Sequence, residues 1–141
     1  MALLIEKNTT VLGSLDVSAL YVRMALVYNV DGNTVETVSN VYPSRASYDA
    51  GSYQNSIKVD GIPSNYQFDY DRAVDGSDLL TAMHTKFKTV LSTDIVEDVP
   101  VLDPSTGEYT YDPSTGELIT TPEVTQAKFA EDSSISFIDI D

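Results

Sequence analysis

The stretch Val17-Ser18-Ala19-Leu20-Tyr21-Val22-Arg23-Met24-Ala25-Leu26-Val27-Tyr28-Asn29-Val30 alternates with a period of two. Leu20, Val22, Met24, Leu26, Tyr28 and Val30 share one face, which Ser18 begins. Arg23 and Asn29 lie on the other face with Ala19, Tyr21, Ala25 and Val27. Alternation among β-branched and aromatic residues predicts a strand packed on one side and partly covered on the other. Asp31-Gly32-Asn33 interrupts the run, and Asp-Gly supports positive φ in a tight turn. Residues 17–30 and 34–42 are therefore expected to pair as a long hairpin.

Working outward, Pro43 ends the second strand, since proline cannot donate to a sheet ladder. Residues 44–56 are polar and predict a loop or irregular crossing. Ile57-Lys58-Val59 predicts a short strand stopped by Asp60-Gly61. Tyr66-Gln67-Phe68-Asp69-Tyr70 alternates aromatic and polar residues, as expected of a strand whose rings close over a core. One helix is predicted over 78–91. Ser77 or Asp78 caps it, and Leu79, Leu80, Met83, Phe87, Val90 and Leu91 give one apolar stripe. Such a short helix is marginal alone and must pack on the sheet.

Between residues 98 and 122 the composition changes. Asp103-Pro-Ser-Thr-Gly-Glu108 recurs nine residues later as Asp112-Pro-Ser-Thr-Gly-Glu117. Proline second and glycine fifth suit a type I turn closed by a glycine bulge. Three short strands over 99–102, 109–111 and 118–120 would make a small meander or a hairpin arm; a polar loop with local turns is the simpler reading. Two copies are too few for a repeat architecture that buries a shared face. The tail carries Ile135 and Phe137 on one face and Ile138 and Ile140 on the other. It predicts a strand that returns to its own core or joins a neighbour's sheet edge.

The expected fold class is α+β and β-rich: an antiparallel sheet or sandwich with one packed helix and an extended β-hairpin arm. Its parts are a core domain over 1–97, the arm or loop over 98–122, and a C-terminal strand within 123–141. The chain has 141 residues, 42% of them hydrophobic, which is enough for one domain with a real core. It has 22 acidic and 8 basic side chains, a formal net charge of -14. That field repels phosphate backbones and anionic lipid, so neither nucleic acid nor a membrane is an expected partner. Without cysteine, disulfides and thiolate metal sites are excluded. The opening Met1-Ala2-Leu3-Leu4-Ile5-Glu6-Lys7 lacks a basic leader and a full apolar segment, so no signal peptide is expected there.

No catalytic motif stands out, and an enzyme is not expected. His84, the sole histidine, sits beside the helix stripe and reads as a boundary or surface residue. Nucleophile-elbow and phosphate-loop sequences are both lacking. Asp69, Asp71, Asp75 and Asp78 cluster before the helix and could offer calcium its oxygen ligands. However, Ala73 stands where an EF-hand needs a third ligand, and the same aspartates read as helix caps. Tyr48, Tyr53, Tyr66 and Tyr70 could form a sugar-stacking surface, or cap a core edge or protein interface. Tyr109, Tyr111, Leu118, Ile135, Phe137, Ile138 and Ile140 are the candidate interface residues. No cofactor is expected.

Three segments carry a resemblance: Ala19-Leu20-Tyr21-Val22-Arg23-Met24, Tyr42-Pro43-Ser44-Arg45-Ala46-Ser47-Tyr48-Asp49-Ala50-Gly51, and Tyr66-Gln67-Phe68-Asp69-Tyr70. In this order, after a short apolar start and before one helix, they resemble small virion proteins of tailed bacteriophages. The resemblance spans roughly residues 3–91 and rests on pattern, with no diagnostic motif. It implies a non-enzymatic tail, baseplate or neck component that forms a homo-oligomer and contacts other virion proteins. A capsid decoration protein is the nearest alternative; a calcium- or glycan-binding module comes from a different class, and a hydrolase stands behind both.

Overall fold

The computed structural model describes residues 1–29 and 31–140, without the side chain of Tyr53. Val30 and Asp141, each predicted in a strand or tail, lie outside the described residues. So does the Tyr53 ring of the sugar-surface reading.

In chain order the elements are β1 (Ala2–Ile5), β2 (Thr9–Val11), β3 (Leu15–Val17), β4 (Leu20–Asn29), β5 (Thr34–Tyr42), α1 (Arg45–Gly51), β6 (Asn65–Asp69), α2 (Arg72–Asp75) and α3 (Leu79–Leu91). They continue with β7 (Ile95–Pro100), β8 (Thr120–Gln126) and β9 (Ile135–Ile138). The protein is α+β and β-rich, built on a five-stranded antiparallel sheet in the order β6-β5-β4-β1-β9. Two compact units divide the chain. One combines Met1–Ser92 with Phe129–Asp141, and the other is Thr93–Lys128.

The long hairpin is β4 and β5, paired from Tyr21 opposite Tyr42 to Asn29 opposite Thr34. Two details differ from expectation. The strand predicted over 17–30 is divided: Val17 ends β3, which pairs with β2 as a separate small hairpin, and β4 begins at Leu20. In the β4–β5 turn positive φ falls on Asn33, not Gly32. Asparagine tolerates the left-handed region, and the Gly32 amide is held by the Asn29 side-chain oxygen at 3.2 Å.

Alternation along the strands of the sheet sorts side chains onto two faces. Leu3, Ile5, Leu20, Val22, Val35, Val41 and Ile135 join Met83, Phe87 and Leu91 of α3 in the main core. Their neighbours one residue away, Ala2, Tyr21 and Tyr42, form a second cluster with Tyr48 of α1 and Ile138. Registers agree across the sheet: Leu3 lies opposite Val22 and Phe137, while Tyr21 lies opposite Leu4 and Tyr42. α3 covers the main face, and α1 covers the second face at its Tyr21 and Tyr42 end; toward the hairpin turn Ala25, Val27, Glu36 and Val38 of that second face are exposed.

The polar segment after Pro43 is helical where a loop was expected. Ser44 caps α1 by accepting the Ser47 amide at 3.1 Å, and a 3-10 turn over Ser52–Asn55 follows. Ile57 makes only an isolated bridge to Val41, so the strand predicted at 57–59 is reduced to one pair. Within α3, Leu80 is exposed and His84 fully buried, the reverse of the predicted stripe.

The second unit is a two-stranded ribbon, β7 with β8, ending in a head formed by the nine-residue repeat. It runs from 93 to 128, wider than the expected 98–122. In each repeat the aspartate accepts the serine amide two residues on at 2.8 Å and the serine hydroxyl at 2.6 Å. Gly107 and Gly116 then adopt φ of 71° and 73°, where a side chain would be strained. Each turn is closed by an aspartate-to-glutamate backbone bond of 2.8 Å.

Beyond the turns the head closes on itself. The Val101 amide donates to the Ile119 carbonyl (3.0 Å), the Ile119 amide to the Thr110 carbonyl (3.0 Å), and the Thr110 amide to the Val101 carbonyl (3.1 Å). An ordinary antiparallel pair exchanges both bonds between two residues; here each residue gives to one neighbour and takes from another. The three residues stand nine apart, one repeat each. They lie before, between and after the two copies, so two copies supply all three positions, and Thr121-Pro122 stands where a third Asp-Pro would fall.

Phe87 is fully buried in the main core. Phe87→Ala is expected to cost about 3–5 kcal/mol in urea unfolding, and a neutral result would place α3 outside the core. Deleting residues 134–141 removes β9 with the buried Ile135 and is expected to lower the melting temperature by several degrees or prevent folding. A fully stable truncated chain would contradict the β1–β9 pairing.

Candidate functional site

The clustered aspartates before α3 turn inward to local backbone. Asp71 caps α2 by accepting the Ala73 amide at 2.9 Å. Asp75 accepts the Asp71 amide at 2.9 Å and pairs with Lys86 at 3.2 Å. Asp78 caps α3, taking the Thr81 amide at 3.2 Å and its hydroxyl at 2.8 Å. The backbone bond holds the Asp75 carboxyl below its usual range, and the Thr81 hydroxyl does the same for Asp78. Asp69 stands apart on β6. Among the described residues no group of three or more histidines or carboxylates is placed to hold a metal ion. Asp71 and Asp78 thus serve as the helix caps that the sequence also offered, Asp75 accepts the Asp71 amide and pairs with Lys86, and Asp69 ends β6.

The tyrosines of the sugar-surface reading are dispersed. Tyr70 is buried, donates its hydroxyl to the Gly76 carbonyl at 2.6 Å, and meets Tyr28 edge-on. Tyr48 packs between Tyr21 and Tyr42 on the second face. Tyr66 stays exposed, stacked against Phe68 with centroids 4.5 Å apart.

That second face holds a polar network that the sequence reading missed. Tyr21 donates to Asp139 at 2.6 Å and accepts from Arg23 at 2.9 Å. The Arg23 guanidinium lies 4.6 Å from the Tyr48 ring centre, and Arg45 bonds Asp139. Burial, then the Asp139 bond, pushes the Tyr21 phenol up. All of these groups are matched to one another, so the network latches the tail to the sheet. Tyr21 and Arg23, two apart on one strand face, were the available signal.

His84 is closed off from any substrate. Its Nδ1 donates to the Leu80 carbonyl at 2.7 Å, and Nε2 has no partner. Burial holds its pKa below the usual value, so the folded state prefers the neutral ring.

Of the interface candidates, three belong to their own domain. Ile135 is 2% exposed in the core, Phe137 packs partly against it, and Ile138 packs against the Tyr21 cluster. Ile140 is exposed. β9 takes its place beside β1, so Ile135, Phe137 and Ile138 follow the alternative in which the tail returns to its own core. Tyr109, Tyr111 and Leu118 are all exposed, and all three take part in two isolated bridges: Leu102 with Tyr109, and Tyr111 with Leu118. Tyr109 is 58% and Tyr111 57% exposed, so two rings stand in solvent on a backbone held by the turn bonds. Eight carboxylates and one cation, Lys128, share the unit.

Comparison with known proteins adds nothing to this geometry: no family model, no curated protein and no solved structure matches the chain.

The neutral His84 predicts a pH dependence. With its folded pKa below the unfolded value of about 6.5, its contribution is complete above that value and is lost as pH falls through it toward the folded pKa. Melting temperature is expected to fall between pH 7.5 and 5, before carboxylates titrate, and His84→Leu is expected to flatten that fall. Parallel curves for the two proteins would remove His84 as the cause.

Proposed function

We propose that this protein is a non-enzymatic structural subunit of a bacteriophage particle, placed in the tail or baseplate, that joins other virion proteins through its arm. The observation that carries the reading is the exposed group of Leu102, Tyr109, Tyr111 and Leu118 on a head whose backbone is closed by its own hydrogen bonds. Preorganised aromatic side chains lose little freedom on binding, which favours a docking role. The resemblance of residues 3–91 to small tailed-phage virion proteins sets the class of particle. Two local uses of titratable groups in the first unit support a structural role: Asp71 and Asp78 cap helices, and His84 is buried with its Nδ1 bonded to the Leu80 carbonyl.

Charge narrows the arm's partner. An arm rich in carboxylates repels a copy of itself and attracts a basic surface. Homo-oligomer formation, the other part of the proposal, then falls to the two edges of the sheet, β6 and β9.

Particles released from a host carrying the coding sequence are expected to contain the chain in stoichiometric amount when purified on a density gradient and read by mass spectrometry. Its absence from purified particles would overturn the proposal. Light scattering on the purified chain is expected to give a discrete ring-sized mass; a monomer at high concentration would remove the homo-oligomer while leaving the particle role to the first measurement.

A further inference from the structure

Leu102, Gly107, Glu108, Tyr109 and Tyr111 line an open depression of about 480 Å³ on the arm head. It combines two exposed phenol rings, an aliphatic wall and one carboxylate, in a unit with eight carboxylates and a single lysine. We infer that this depression is a seat for an arginine side chain presented by a basic partner protein. The inference rests on the docking role proposed above and names the chemistry of its partner.

Three features favour a guanidinium. Its plane stacks on aromatic faces, which Tyr109 and Tyr111 offer. Its charge is met by Glu108 within the same depression and by the field of the surrounding carboxylates. Its aliphatic stem matches the Leu102 wall. A neutral sugar would use the rings but gain nothing from the charge.

The second repeat is a built-in control. Its turn has the same bonds at the same lengths: 2.8 Å from the serine amide, 2.6 Å from the serine hydroxyl and 2.8 Å closing the loop. Nine residues on, however, Tyr109 is replaced by Leu118 and Tyr111 by Thr120. The scaffold is repeated and the ring pair is not. The first copy is therefore the arginine seat, and the second serves to hold the head closed.

The test is a titration of the full-length protein, followed by NMR of its tyrosine rings, with acetyl-Gly-Arg-Gly-amide as probe. The matched peptide with citrulline, a neutral isostere of arginine, and a methyl glucoside are the comparisons. Saturable shifts confined to Tyr109 and Tyr111 are expected with the arginine peptide. Binding is expected to weaken about three- to fivefold in Glu108→Gln and at least that much in Tyr111→Ala. Both residues are exposed, and unchanged melting temperatures would show that the variants are folded. Equal binding of the citrulline peptide, or saturation by the glucoside alone, would overturn the arginine seat, the second in favour of a glycan. Shifts spread over the whole acidic surface, or none at tens of millimolar probe, would overturn it as well. None of these results bears on whether the chain is found in purified particles, so the two proposals fail separately.

Discussion

The fold depends on the burial of β1 between β4 and β9. Ala2, Leu3 and Ile5 have no solvent exposure, with Leu3 and Ile5 facing the main core and Ala2 the second cluster. A strand buried on both faces needs neighbours on both edges, because an open edge there would leave amides and carbonyls without partners. The chain meets this need from its two distant parts: the hairpin strand β4 on one side, the C-terminal β9 on the other. Everything between α3 and β9 is thereby free to be an insertion. Its two ends are gathered at Leu91, whose carbonyl accepts the amides of both Phe129 and Ala130.

The inserted unit solves a different problem. A two-stranded ribbon has no core of its own and is marginal in water. Val96 and Val124, which face each other across β7 and β8, are both exposed, so the ribbon gains little from burial. Order comes instead from local hydrogen bonds, in the two aspartate-serine turns and the ring through Val101, Thr110 and Ile119. The ring leaves no free strand edge at its own level, while the bridged side chains around it stay outward. Such a scaffold presents apolar groups without the edge that would invite indiscriminate strand pairing.

The parts legible in the sequence were those with a clear local period. The β4–β5 hairpin and α3 announced themselves because one face of each differs from the other over many residues. β1 did not, since Ala-Leu-Leu-Ile is buried on both sides and has no alternation to read. α1 was hidden for the opposite reason: none of its residues is fully buried, so it has no apolar stripe, and its capping serine lies in a run of polar residues. His84 was misplaced because α3 turns Ala82 and His84 inward and leaves Leu80 outside, a rotation set by the sheet it packs on. In the arm the turns were read from their residues, but the closed ring was not. Its members Val101, Thr110 and Ile119 flank the two copies and carry no turn residue that announces the bonds between them.

The placement of positive charge differs between the two units. The chain has 8 cationic side chains against 22 acidic ones. Most of the cations are engaged within the first unit. Arg23 serves the Tyr21 network, Arg45 holds Asp139, Lys86 pairs with Asp75, Lys88 with Asp132, and Lys7 covers the Phe129 ring. They act as short stitches that hold the tail, the helix caps and the base of the insertion. The arm, with one lysine against eight carboxylates in its sequence, keeps a net negative charge. In solution that field opposes contact between arms and keeps the exposed rings from associating with one another. Under the proposed docking role, the same field would draw the arm toward a basic surface, where Tyr109 and Tyr111 would add apolar contact; electrostatics would select the partner and the rings would hold it.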